Sequence, residues 1–234
     1  MSFVYKPPTE WIPPDVFPTE LLCQAKEIAI DLETRDPHLK ELGPGYIRGD
    51  GEAVGISFAI DGYENYFPFA HESGFNFSKK KVLEFTKKIC ATDSDKIFHN
   101  STYDVGWLTH HGIPVNGRII DTMIVAPLID ENQFWFSLNA LGREYINEGK
   151  SEGELSAAAE EWGLDPKADM WRLPSAYVGT YATQDAALTL KLWNHFKILL
   201  EEQNLWNIFD LEMRVLPVVL AMKQKGVRVD LERA

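Results

Sequence analysis

The sequence predicts an α/β fold: a mixed five-stranded sheet flanked by helices. Three observations predict it. Three strand-like segments follow one another between residues 27 and 69. Short strands and helices then alternate as far as residue 121. Helical periodicity dominates the rest. Strands, then alternation, then helices is the pattern of a mixed sheet with helices packed on it.

Residues 1–25 carry Pro7, Pro8, Pro13, Pro14 and Pro18 and read as an extended arm, because repeated prolines deny it a regular helix or a central strand. Residues 27–33 alternate, with Ile28, Ile30 and Leu32 on one face, and read as the first strand. A Gly- and Pro-rich loop fills residues 36–51. Residues 53–60 form a second strand, Asp61-Gly62 a hairpin turn, and residues 64–69 the returning strand. Together they make an antiparallel meander. Ser78 is placed to cap a helix whose stripe is Val82, Phe85 and Ile89. Residues 96–99 are a short strand, 102–111 a helix ended near Gly112 and Pro114, and 118–121 a last short strand. Helices are expected over 122–128, 137–146, 154–162, from Pro174-Ser175 to about 203, and over 208–225. Beyond Gly226, residues 227–230 turn extended, as a new strand would start. A domain seldom stops there, so the chain reads as cut from a longer protein.

With 234 residues, of which 45% are hydrophobic, the chain has one substantial core and too little length for two full-sized domains. A net charge of −12 argues against a protein that lives by non-specific attraction to phosphate. Cys23 and Cys90 lack the paired spacing of a zinc site, and a reduced cytoplasmic setting is the simpler reading. The N-terminus lacks the pattern of a signal peptide, and no apolar run is long enough to span a bilayer. A soluble monomer with no membrane partner is expected. Lys79, Lys80, Lys81, Lys87 and Lys88 read as a solvated helix face, His110 and His111 as helix surface, and His99 as a strand-end residue.

Asp31 and Glu33 are two apart on a strand and point to the same side. Carboxylates side by side repel unless a cation lies between them, so such a pair suits a hard divalent ion such as Mg²⁺ or Mn²⁺. By itself the pair reads better as ordinary acids on a solvated strand face. In the segment His99-Asn100-Ser101-Thr102-Tyr103-Asp104, Asn100 ends a strand and Asp104 lies on the first turn of the next helix. Sites in open α/β sheets form at such strand ends, but taken alone the motif reads better as an Asn that ends the strand and an Asp that complements the helix dipole. Tyr181 and Asp185 stand one helical turn apart on one face. Tyr46 and Asp50 share that spacing but lie in the Gly-rich loop without helical context, so context selects Tyr181 and Asp185.

Each pair is weak evidence, but their order is specific. An acid pair on the first strand, an Asn and an Asp straddling a strand–helix junction, and a Tyr/Asp pair on a late helix resemble the three motifs of the DEDD exonuclease superfamily. The resemblance is to its tyrosine branch; in the histidine branch a His stands five residues before the last Asp, and here that residue is Thr180. The segments Ile30-Asp31-Leu32-Glu33-Thr34, Val54-Gly55-Ile56-Ser57-Phe58-Ala59-Ile60, His99 to Asp104, Ile120-Asp121-Thr122-Met123 and Tyr181-Ala182-Thr183-Gln184-Asp185-Ala186 resemble the proofreading domain of family A DNA polymerases. The similarity covers residues 27–196, and the tail around Leu216-Pro217 and Gly226-Val227-Arg228 resembles the start of that family's polymerase domain. The long 37–51 loop looks closer to viral members.

The resemblance implies an RNase H-like fold and a division into an arm (1–25), an exonuclease domain (26–205) and the start of a severed polymerase domain (206–234). It implies two-metal hydrolysis at the 3′ end of single-stranded or frayed DNA, in a bacterial or phage-infected cytoplasm. Asp31, Glu33, Asp104 and Asp185 would hold two ions, Mg²⁺ or Mn²⁺. Tyr181 would orient the attacking water, and Thr34, Asn100 and Tyr103 would contact the terminal nucleotide. Competing readings are an RNA-trimming exonuclease of the RNase D kind and a catalytically silent nucleic-acid-binding domain. The complete acid set speaks against the silent one.

Overall fold

The computed structural model describes residues 9–150, 152–230 and 232–233. Pro7 and Pro8 of the expected arm lie outside these. Residues 9–18 form neither helix nor strand and lie against the body, where Thr9 Oγ1 donates to the Ala176 carbonyl (2.6 Å) and the Phe17 ring stacks on Phe67 (5.5 Å between centroids). Contrary to the expectation of an extended arm, it contains a helix: α1 (Thr19–Gln24) starts directly after Pro18 and buries Leu22. No proline lies inside that helix, and one just before its first turn costs it no hydrogen bond.

Five strands follow: β1 (Glu27–Arg35), β2 (Glu52–Ile60), β3 (Tyr63–Pro68), β4 (Asp95–Phe98) and β5 (Ile119–Asp121). Their order is β3-β2-β1-β4-β5. The meander is antiparallel, and β4 and β5 run parallel to β1. The expected loop between β1 and β2 contains two single helical turns, α2 (Leu39–Leu42) and α3 (Gly45–Arg48), each ending at a glycine with positive φ. After β3 comes α4 (Lys79–Cys90); Ser78 occupies its N-cap position but its side chain caps nothing. Then come α5 (Ser101–His110), α6 (Thr122–Ile129), α7 (Leu138–Ile146), α8 (Gly153–Trp162), α9 (Ser175–Glu202) and α10 (Trp206–Lys225). Residues 226–230 form no strand.

Both sheet faces are covered. Ile28, Ile30 and Leu32 of β1 join Phe58, Phe67, Phe85 and Trp107 on the α4/α5 side. On the other side Ala29 and Ala59 present small surfaces, and α9 closes on them with Leu192, Trp193 and Phe196. Asp31 and Glu33, being of the same parity as Ala29, therefore face α9. The last helix packs onto this body through Phe209, Met213, Leu216 and Leu220. No helix among the described residues is long and apolar enough to cross a membrane.

Asp121 fixes the junction from which α5 springs. Its buried carboxylate accepts from Asn100 N (3.0 Å), Ser101 N (2.7 Å), Ser101 Oγ (2.7 Å) and Met123 N (2.9 Å). Asp121→Ala strands these donors at about 1–3 kcal/mol for each one left buried and unpaired. We expect a loss of roughly 3 kcal/mol or more, read as a lower urea midpoint at unchanged slope.

Candidate active site

Asp31 and Glu33 sit opposite Ser57 and Gly55 of β2, just before a bulge at Glu33/Thr34. Gly55 is needed there: a Cβ would lie 1.9 Å from the Tyr66 hydroxyl. Tyr66 is held in place by His71 Nε2 (2.7 Å), whose Nδ1 contacts the Leu173 carbonyl (3.0 Å). Across the cleft, α9 presents Tyr181 and Asp185, and Ala182, Ala186 and Ala187 let its backbone come close. Carboxylate oxygens of Asp31, Glu33 and Asp185 lie within 4.8 Å of one another.

This crowding is costly for charge. Burial, then the Asp185 carboxylate, pushes Asp31 up to about 7. Burial, then Asp31 and Asp185, holds Glu33 well above the carboxylate range. Asp185 is also raised by burial, against the opposing pull of Lys150. Its Oδ1 is buried and accepts no hydrogen bond. A buried carboxylate oxygen without a donor, amid two further acids, is short of positive charge. Hard oxygen ligands so arranged fit a divalent cation.

Asp104 stands apart from that trio. Its Oδ1 accepts the Leu32 N–H (3.1 Å). The bond is available because β4 pairs with β1 only as far as Ala29, which leaves the β1 edge open beyond that point. Burial, then Asp31, raises this carboxyl too, so it lies within the field of the cluster. Thr34 and Tyr103 are brought together, Oγ1 to hydroxyl, at 2.7 Å, and the same hydroxyl donates to Asp36 (3.1 Å). Asn100 is exposed, adopts φ +70° as N-cap of α5, and lines a cleft with Asp31, His99, Phe136 and Lys150.

Tyr46 and Asp50 do not form a pair. Contrary to expectation, Tyr46 does lie on a helical turn, but it is buried and its hydroxyl donates to the Thr102 carbonyl (3.1 Å), while Asp50 pairs with Arg48 (2.8 Å). His99 is more than a strand end: it lines the cleft, bonds Thr122 Oγ1 (2.8 Å), and burial pushes it down to about 4. His111 is likewise not plain surface, for it stacks on Trp107 and burial lowers it to about 4. Lys80, Lys81, Lys87 and Lys88 are exposed as expected, and Lys79 pairs with Glu52.

The residue that sequence reasoning missed is Lys150. It precedes α8, and its ammonium bonds both the Tyr181 hydroxyl (3.1 Å) and Asp185 Oδ2. No motif marks it. A lysine in a polar loop, 31 residues before Tyr181 in the chain, can be placed among the acids only by the tertiary structure.

Known proteins are similar to this chain in sequence and in fold. A family model described as a 3′–5′ exonuclease matches residues 18–201. The chain is 37% identical over 230 residues to a DNA-directed DNA polymerase of Pseudomonas phage M6, covering 96% of this chain and 35% of that protein. It spans about a third of the length of the curated phage relatives it matches. Its fold is similar to that of Brucella melitensis NrnC with bound Mg²⁺ (TM-score 0.63, 18% identity, 92% of this chain and 93% of that one). It is also similar to Escherichia coli RNase D, an exoribonuclease involved in structured RNA processing (TM-score 0.60, 15% identity, 90% of this chain and 48% of that one). With the sheet order and acid cluster above, these findings identify an RNase H-like domain of the DEDD type, and the chain belongs to the 3′–5′ exonuclease family of the family A DNA polymerases.

Proposed function

We propose that this domain removes nucleotides from the 3′ end of single-stranded or frayed DNA, and that it edits for a polymerase domain in the same polypeptide. The observation that carries the reading is the convergence of Asp31, Glu33 and Asp185, one oxygen of which is buried without a partner. Asp31, Glu33 and Asp185 would hold one divalent ion; Asp31 and Asp104 would serve a second. Mg²⁺ or Mn²⁺ is the ion expected of such oxygen ligands. When bound, such ions supply hydroxide from water and stabilise the leaving 3′ oxygen.

The protein's own groups do the rest. The Tyr181 phenol is held far above its ordinary range by burial and then by Asp185, Glu33 and Asp31. It therefore keeps its proton and acts as a donor that orients the attacking water. Tyr181→Phe should slow hydrolysis at least about tenfold with KM little changed, since the lost bond serves the reaction rather than binding. Equal rates in single-turnover assays would remove Tyr181 from the mechanism. Thr34, Asn100 and Tyr103 are assigned to the terminal nucleotide; Asn100 lines the cleft beside Asp31, and the Thr34–Tyr103 pair stands at the far end of β1.

In this reading residues 26–205 are the exonuclease, residues 1–25 an arm, and residues 206–234 lead into the polymerase part. The setting is the cytoplasm of a bacterium or phage-infected cell, and the working unit is a monomer. Single-stranded DNA and RNA of one sequence, each labelled at the 5′ end and incubated with Mg²⁺ or Mn²⁺, test the assignment. A ladder shortening by single nucleotides on DNA supports it. Faster trimming of RNA would favour an RNase D-like role, and internal cuts would exclude an exonuclease.

A further inference from the structure

Lys150 is placed by construction rather than by chance. Its backbone N–H donates to Asn139 Oδ1 (3.0 Å), and the preceding carbonyl, of Gly149, accepts from Gln184 Nε2 of α9 (3.1 Å). A Cβ at Gly149 would lie 2.8 Å from Arg143 Nε and 3.0 Å from Asn139 Oδ1, so a side chain there would displace Arg143 and press on the Asn139 amide that holds Lys150 N. Glu148 closes onto α7 through Gly142 and pairs with Lys191 of α9 (2.7 Å). The segment is thus stapled to α7 and α9 at three successive residues. It carries a side chain only 16% exposed into a cleft of acids, with its ammonium 4.9 Å from the Tyr181 ring centre.

An ammonium has donors only, so in the Lys150–Tyr181 bond the phenol oxygen is the acceptor. That bond occupies one lone pair of the oxygen and leaves the phenol's own proton directed away from the ammonium, free to be donated. The same ammonium faces Asp185, Asp31 and Glu33, and stands in the field of His99. It therefore has two effects of opposite sign. It aims the donor that the hydrolytic step uses, and its positive charge opposes a second cation among the acids.

We propose that Lys150 is a positioning residue of the exonuclease reaction, which fixes the donor orientation of Tyr181 at the expense of metal affinity. This rests on the proposed two-metal reading. It assigns a role to a residue outside the three motifs, and it predicts a split that a merely structural lysine would not produce.

Lys150→Met should lower kcat at least about tenfold with KM within about threefold. In the same protein without DNA, Mn²⁺ binding, read from the free-ion electron paramagnetic resonance signal, should tighten at least about threefold. Lys150→Arg keeps the charge but alters its geometry, so its Mn²⁺ affinity should stay near wild type while kcat falls. If Lys150 acts through Tyr181, the Lys150→Met/Tyr181→Phe protein should be no slower than Tyr181→Phe alone. Unchanged kcat, weaker Mn²⁺ binding in Lys150→Met, or additive losses in the double variant would each overturn the proposal. Should Lys150→Met not fold, the Lys150→Arg comparison and its cycle with Tyr181→Phe decide the matter. Failure of the two-metal reading looks different: wild-type protein would then show no metal-supported release of nucleotides at all.

Discussion

Asp31→Ala/Glu33→Ala protein is expected to release nucleotides from a DNA 3′ end roughly 10³-fold more slowly than wild type, or slower still. Removing one preorganised charge-stabilising group from an active site costs about 10²–10³ in rate, and this variant loses two of the three convergent carboxylates at once. The loss should be one of chemistry, not of folding. Among the described residues neither side chain makes a hydrogen bond that holds an element in place, unlike Asp121, whose carboxylate pins the start of α5. The far-ultraviolet circular dichroism of the variant should match wild type. Activity within tenfold of wild type would remove these acids from the reaction. Loss of activity together with loss of fold would make the pair structural instead.

The second large effect is on stability. In chelator, wild-type protein should lose stability as pH rises from about 4 to about 7 and beyond. The sign follows from Asp31, raised to about 7 when folded, against about 3.9 in the unfolded chain. Between those values the folded state holds a proton that the unfolded chain has released. The stability that Asp31 contributes is therefore fully present below about 4 and is lost as pH rises through about 7. Glu33 and Asp104 are raised as well, mainly by burial, and carry the decline further. Asp31→Asn should flatten the curve and melt higher than wild type in chelator at pH 8. Mn²⁺ should restore the wild type at that pH. A ligand at about a hundred times its Kd adds about 2.7 kcal/mol, which for a chain of this size is roughly 5–10 °C in Tm. Asp31→Ala/Glu33→Ala protein should show no such rise. A wild-type stability flat in pH, or a Mn²⁺ shift that survives the double substitution, would count against the cluster.

The sheet was legible because its strands obey period two and its turns use glycine. Alternation in residues 27–33 placed Ile28, Ile30 and Leu32 inward, and they are buried on one face of β1. The same parity put Asp31 and Glu33 on the other side, and the period of a helix put Tyr181 and Asp185 on one face of α9. What sequence could not give was depth. Pattern alone allowed the acids to be a solvated strand face; the alanines of α9 let it close on them, and Glu33 is only 9% exposed. Short elements failed for a local reason. One-turn helices such as α2 and α3 have too few residues to show periodicity, and α1 was hidden behind prolines that precede it. The contact between Asp104 and Leu32 depends on where β4 stops pairing with β1, a tertiary fact. Lys150 depends on a loop being stapled between two helices, which no spacing rule records.

Asp31, Glu33 and Asp185 are proposed to form a metal centre. Anomalous diffraction at the manganese edge, from crystals of the wild-type protein soaked in Mn²⁺ with a deoxynucleoside 5′-monophosphate, tests it most directly. A peak bonded to all three carboxylates is expected, with a second beside Asp31 toward Asp104. A map with no peak within bonding distance of Asp31, Glu33 and Asp185 would contradict it.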